Sequence, residues 1–197
     1  VKESLIEASE QFDFSKIRAI GITNQRESTL LWEKATGKPL TPIVSWQCSR
    51  SQNIIDRWAP FTEEIEETTG LLNHTYFSAS KIIWLLEKYP ELRERCEKGE
   101  ICFGNINTWI LWNLTGGKSH LTDSSNAGRT LLYNVSKDEW SDSLIEKLDV
   151  PREILPGVLP CDGDFGMAVC PAEAFKEPIP VRGSIGDQMS ALFGQAC

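Results

Sequence analysis

Apolar residues recur along this chain with two periods, and the switch between them organises it. Residues 1–10 (VKESLIEASE) place Leu5, Ile6 and Ala8 at helical spacing and predict an amphipathic helix that turns this side to a core. Ile17 to Thr23 alternates instead, which predicts a strand. Polar Asn24-Gln25-Arg26-Glu27 follows the C-terminal end of that strand, and Ser28 to Trp32 resumes the β pattern. Ala35-Thr36-Gly37-Lys38 reads as a turn and Pro42 to Gln47 as a further strand. The opening therefore reads as a strand-rich meander with polar residues at strand ends.

The middle of the chain reads as helical. Segments 51–58 and 62–68 fit helices, the second ending at Gly70. Ser78 to Lys88 is the clearest helix, with Ile82, Ile83, Leu85 and Leu86 on its apolar side and Pro90 beyond its end. Asn107 to Leu114 is another, closed by Gly116-Gly117, and Trp140 to Leu148 a third, between Asp138 and Pro151. After Pro178 and Pro180 the pattern returns to a strand at Val181 to Ile185. A tight corner, Gly186-Asp187-Gln188, and a helix from Met189 follow. No internal repeat, low-complexity tract or linker interrupts the chain. The architecture expected is α/β, with a helical insertion between two strand-containing parts.

Composition narrows the partners. Among 197 residues, 28 acidic and 20 basic side chains give a net charge of -8, which argues against a nucleic-acid backbone as partner. Any nucleotide would need local help from Mg2+, helix N-termini or backbone N–H groups. The six cysteines (Cys48, Cys96, Cys102, Cys161, Cys170 and Cys197) form no C-x-x-C pair and read as reduced thiols of a cytoplasmic protein. Residues 1–10 are too polar for a signal peptide, and the apolar run Trp109 to Leu114 is far too short to span a membrane.

Ligands of open α/β sheets bind outside the carboxyl ends of strands, and two polar clusters fall there. At the first, Arg26 and Glu27 offer a donor fork and an acceptor suited to a polyhydroxy ligand, or they form a solvated loop. At the second, Asp187 is either a general base or a helix cap, and Gly186 beside it permits close approach of a substrate. Trp46 closes another predicted strand, where its face could floor a small polyol or simply pack in the core. His74 and His120 have no ligand spacing and read as surface or structural residues. Arg129 either holds its loop together or faces a site. No P-loop and no G-x-G-x-x-G is present.

Several segments taken in order resemble the glycerol kinases of the FGGY carbohydrate kinase family. Residues 21–28 (GITNQRES) are similar to its G-I-T-N-Q-R-E-T, residues 103–112 (FGNINTWILW) to F-G-T-I-D-T-W-L-I-W, and residues 122–130 (TDSSNAGRT) to T-D-Y-T-N-A-S-R-T. Residues 43–48 resemble its tryptophan-bearing strand, 76–81 the start of its helical region, and 186–195 its G-D-Q-Q-A-A-L-F-G-Q. The resemblance covers nearly the whole chain. It implies an incomplete ribonuclease-H-like fold of the actin-like ATPase superfold, the N-terminal polyol-binding domain over 1–197. It also implies ATP-dependent phosphorylation of glycerol to glycerol 3-phosphate. In that reading Asp187 is the general base, Arg26 and Glu27 hold the glycerol hydroxyls, Gln188 adds a polar contact and Trp46 packs on the carbon chain.

Departures from the family pattern bear on the substrate. Ser124 stands where the family has a polyol-contacting tyrosine, Asn107 replaces an Asp, and Met189 replaces a Gln. The family's first strands with their phosphate loop, and its C-terminal nucleotide-binding domain, are not in this sequence. ATP and Mg2+ are therefore expected to bind mainly elsewhere, and the chain alone is expected to be inactive. Oligomeric state is left open. Two alternatives remain: a kinase for a larger polyol or ketose, as Ser124 suggests, and a non-catalytic polyol-binding remnant.

Overall fold

The computed structural model describes residues 1–196. In chain order the elements begin with α1 (Lys2–Gln11), β1 (Ile20–Asn24) and β2 (Leu30–Glu33). Helices α2 (Gln52–Arg57), α3 (Thr62–Thr69), α4 (Ser78–Lys88) and α5 (Glu91–Glu97) come next. They are followed by β3 (Ile101–Gly104), α6 (Ile106–Leu114), β4 (Leu121–Asp123) and α7 (Ser124–Ala127). Then come β5 (Tyr133–Asn134), β6 (Glu139–Trp140), α8 (Asp142–Lys147) and β7 (Gly157–Leu159). The last are β8 (Met167–Ala168), β9 (Ile179–Gly186) and α9 (Asp187–Gly194).

The opening is no meander. β1 pairs in parallel with β9, from the far end of the chain, with Asn24 opposite Gly186, and β8 lies antiparallel on the other side of β9. β2 pairs antiparallel with β3 across the whole helical insertion, and β4 pairs in parallel with β7. The strand expected at 42–47 does not form. Only Val44 exchanges backbone hydrogen bonds, with Thr29, both 2.9 Å, before residues 46–47 turn away. Pro42 has no N–H to give to a ladder, which limits the pairing to this single bridge. Trp140 likewise belongs to a short hairpin with Tyr133 rather than to a helix, and α8 begins after it, capped by Ser141. The cap of α9 is Gly186, so that helix begins two residues earlier than the apolar pattern suggested, at Asp187.

Helix α4 matches its predicted limits, and α3 ends as predicted on Gly70, whose φ of 69° is the left-handed conformation that suits glycine at a helix C-terminus. The insertion packs as one apolar cluster through Ile54, Ile65, Ile82, Leu85, Phe103 and Leu144. A second cluster beneath the sheet joins Ile22, Leu111, Phe165, Ile179 and Val181, and the half-buried Leu5 and Ile6 of α1 rest against it. The second cluster joins Ile22 of β1 to Ile179 and Val181 of β9 and so supports that strand pair. Among the described residues no helix is long and apolar enough to cross a membrane. The five described cysteines are free thiols, and Cys197 lies outside the described residues.

His120 is structural, as expected, and its setting predicts a pH effect. Its ring lies edge-on to Trp32 and Trp112, and Nε2 shares a 2.8 Å hydrogen bond with the Phe103 carbonyl. Burial, only partly offset by that hydrogen bond, pushes its pKa down to about 4. An unfolded histidine titrates near 6.5, so between these values the unfolded chain binds the extra proton. Stability is therefore complete above about pH 6.5 and falls as the pH drops towards 4. The expected loss from this residue between pH 7 and 4.5 is about 2 kcal/mol. Urea midpoints at both pH values should lie closer together in His120→Phe than in the natural chain; an equal gap refutes the assignment.

Candidate functional site

The sheet ends bring the predicted residues together. Arg26 and Glu27 follow β1 directly, and Asp187 and Gln188 open α9 directly after β9. Because β1 and β9 are parallel neighbours, both polar clusters emerge at the same edge. The solvated-loop alternative for Arg26 and Glu27 is thus overturned, since they are only 6% and 4% exposed. Asp187 and Gln188 are exposed at the rim.

Arg26 is a buried cation held by neutral acceptors. Nη2 donates to Gln188 Oε1, and Nη1 donates to the Ser125 carbonyl at 3.4 Å. A guanidinium has five N–H donors, so three remain without a partner among the described residues. Burial and then the nearby Arg129 charge pull its pKa below the ordinary value, while Glu27 and Asp187 act in the opposite sense. This is a site that offers donors under positive potential.

Glu27 supplies the matching acceptor. Its Oε1 takes a hydrogen bond of 2.8 Å from Arg129 Nε. Its Oε2 has no partner among the described residues, yet it is not sealed from solvent. Arg129, left undecided by the sequence, therefore faces the site. Its guanidinium lies 4.8 Å over the Phe77 ring and 5.6 Å over Tyr76. Tyr76 meets Trp46 edge-on at 5.3 Å, and the Trp46 N–H donates to Ser28 Oγ at 3.2 Å. Trp46 is half-buried in a turn rather than at a strand end.

A residue that reads as surface-seeking in the sequence supports this wall. Lys81 is 1% exposed and its ammonium donates to the carbonyls of Thr75, Tyr76 and Phe77 at 2.6, 2.6 and 3.1 Å. Three acceptors for three donors make the burial tolerable. Desolvation still lowers its pKa to about 8.

Asp187 is the first residue of α9, and its Oδ1 accepts from the Gln188 N–H at 2.9 Å. It is not the cap residue. The other oxygen has no partner among the described residues. Ser124 opens α7. Behind it, sequence reading missed a polar core centred on Asp123, which is fully buried and accepts from Asn126, Ser125, Ser184 and Asn107. Asn107, noted above as replacing an Asp, thus presents an amide to a buried carboxylate at 3.1 Å. Among the described residues no group of three or more His, Cys, Asp and Glu side chains is arranged to hold a metal. An apolar groove of about 540 Å³ between α1 and α6 lies elsewhere and contains none of these residues.

Gly186 sets the spacing between the two clusters. A Cβ on it would lie 2.1 Å from Arg26 Cδ and 2.7 Å from Cγ. Its φ of -59° suits any residue, so the constraint is the close approach and not the backbone. Gly186→Ala is expected to destabilise the chain by about 1–3 kcal/mol and to push Arg26 out of place. Urea unfolding and a crystal structure of the variant check both. Unchanged stability with Arg26 in place would contradict the packing.

Residues 1–194 match the N-terminal domain of the FGGY family of carbohydrate kinases. Glycerol kinase 2 of Thermotoga maritima is 48% identical over 183 residues, covering 92% of this chain and 36% of that protein. The crystal structure of Plasmodium falciparum glycerol kinase with ADP superposes with a TM-score of 0.92 at 33% identity, over 99% of this chain and 40% of that one. A ligand-bound xylulose kinase of Lactobacillus acidophilus has a TM-score of 0.82 at 20% identity, covering 98% of this chain and 39% of that one, a likeness of fold alone. The chain thus has the fold of the N-terminal domain of these kinases, in part, and spans little more than a third of the length of the curated relatives it matches.

Proposed function

The chain belongs to the FGGY family of carbohydrate kinases, and on that premise we propose that it is the polyol-holding lobe of a longer cytoplasmic enzyme that phosphorylates glycerol with ATP. The observation that carries the reading is a buried Arg26 with three unused N–H groups beside the free Oε2 of Glu27. A donor fork next to an acceptor matches vicinal hydroxyls, each of which both gives and takes a hydrogen bond. Trp46 covers the C–H side of a three-carbon chain. Gln188, held by Arg26, borders the same space.

Asp187 stands at the open rim, where a second lobe would deliver the nucleotide. Its free oxygen takes the proton of the attacking hydroxyl as that oxygen bonds to the γ-phosphorus and the bond to the ADP oxygen breaks. The rest of the catalysis is positioning, supplied by the rigid pair β1 and β9. ATP and Mg2+ would be held mainly by the second lobe, the metal through the phosphates and one or two carboxylates.

Ser124 favours one second reading, a larger polyol or ketose, because a serine occupies less of the space that the family's tyrosine fills. The two readings separate in the full-length kinase by kcat/KM for glycerol, erythritol, xylitol and D-xylulose. Glycerol should lead. A lead for xylitol or D-xylulose would replace the glycerol reading, and no transfer to any of the four would overturn the kinase assignment.

A further inference from the structure

Ser125 lies one residue beyond the position singled out by the family pattern, and it touches both halves of the candidate site. Its hydroxyl donates to Asp123 Oδ1 and accepts from the Gly186 N–H at 2.8 Å. Its carbonyl accepts from Arg26 Nη1. Asp123 is 0% exposed, and its two oxygens are crowded by the Asn126 N–H and the side chains of Asn126, Ser184 and Asn107. A buried carboxylate accepts only, so the Ser125 proton must point to it. The hydroxyl lone pairs are thereby turned outwards to Gly186.

Gly186 is where β9 ends and α9 begins, and its N–H is aimed at Ser125. The next two residues are Asp187 and Gln188. A single hydroxyl therefore anchors the corner that carries the candidate base, and the same residue's carbonyl anchors Arg26. We propose that Ser125, oriented by Asp123, is a positioning residue that sets Asp187 and Gln188 against Arg26 for polyol binding. The proposal rests on the polyol-site reading above.

The test compares Ser125→Ala, Ser125→Cys and Ser125→Thr with the natural chain. Two readouts are used: hydrogen exchange of the Gly186 amide and calorimetric titration with glycerol. Losing a hydrogen bond that also involves a charged partner's network is worth about tenfold. Ser125→Ala should speed exchange at Gly186 about tenfold, leave the amides of α4 unchanged, and weaken glycerol binding about tenfold. Ser125→Thr, which keeps the hydroxyl, should restore both to within about threefold, and Ser125→Cys should fall between. A residue that merely supports the fold would not be rescued this way, nor act on Gly186 alone.

Unchanged Gly186 exchange in Ser125→Ala overturns the proposal. So does unchanged glycerol affinity in Ser125→Ala while the natural chain binds glycerol. Should Ser125→Ala fail to fold, Ser125→Cys decides, and a Thr variant as impaired as Cys refutes the role of the hydroxyl. Failure of the natural chain to bind glycerol sinks the polyol reading itself, a different result from a variant without effect.

Discussion

Asp187→Asn is expected to lower kcat for phosphoryl transfer to glycerol by about 10²–10⁴-fold in the full-length kinase, with glycerol affinity changed only a few-fold. The substitution is nearly isosteric. Asn retains an oxygen for the Gln188 N–H, so the start of α9 keeps its local hydrogen bond. Gly186 remains tied to Ser125 by its backbone, independent of the side chain at 187. The altered function is the second oxygen, which becomes an amide nitrogen unable to receive a proton. The loss should therefore fall on kcat and leave binding nearly intact. Steady-state kinetics separate these quantities, and a kcat within threefold of the natural enzyme would remove Asp187 from the role of base.

Arg26→Ala is expected to weaken glycerol binding by about 100-fold or more while leaving stability nearly unchanged. A hydrogen bond to a charged group is worth about 1.5–3 kcal/mol, and Arg26 offers two or three of them to a ligand. Against that, the natural chain holds this cation in a site only 6% exposed with acceptors that are both neutral. Burial and the nearby Arg129 charge outweigh the attraction of Glu27 and Asp187, so removing the cation relieves one cost as it creates a cavity. Gln188 is exposed and can turn its freed oxygen to water. Lost binding with an unchanged urea midpoint marks a residue retained for function. A variant that loses several kcal/mol of stability would show instead that Arg26 is a structural strut.

The limits of the sequence reading have physical causes. Helices α3 and α4 were legible because their signals are local: an apolar face, a glycine stop and a proline beyond. Arg26, Glu27 and Asp187 were legible as polar clusters following strands. That they share one edge was not, because the parallel pairing of β1 with β9 is a contact between chain ends that no local pattern carries. The helix expected at 140–148 began too early because Trp140 happens to match its apolar spacing, whereas it is a cross-strand partner of Tyr133. α5 was missed because ELRERCE buries only Leu92 and Cys96. Lys81 and the Asp123 network escaped for one reason: a charged side chain reads as solvent-facing until its buried partners are known. Arg129 was noticed but left undecided, because its partner Glu27 lies far away in the sequence. The motif T-D-S-S-N drew attention to Ser124, while the hydroxyl beside it makes the contact that joins the two halves of the site.

Calorimetric titration of the folded chain with glycerol, natural and Arg26→Ala side by side, tests the polyol site most directly. One saturable site that is lost in the variant is the result predicted. No heat of binding from a well-folded natural chain, or equal binding by the variant, would contradict a polyol site built on Arg26 and Glu27.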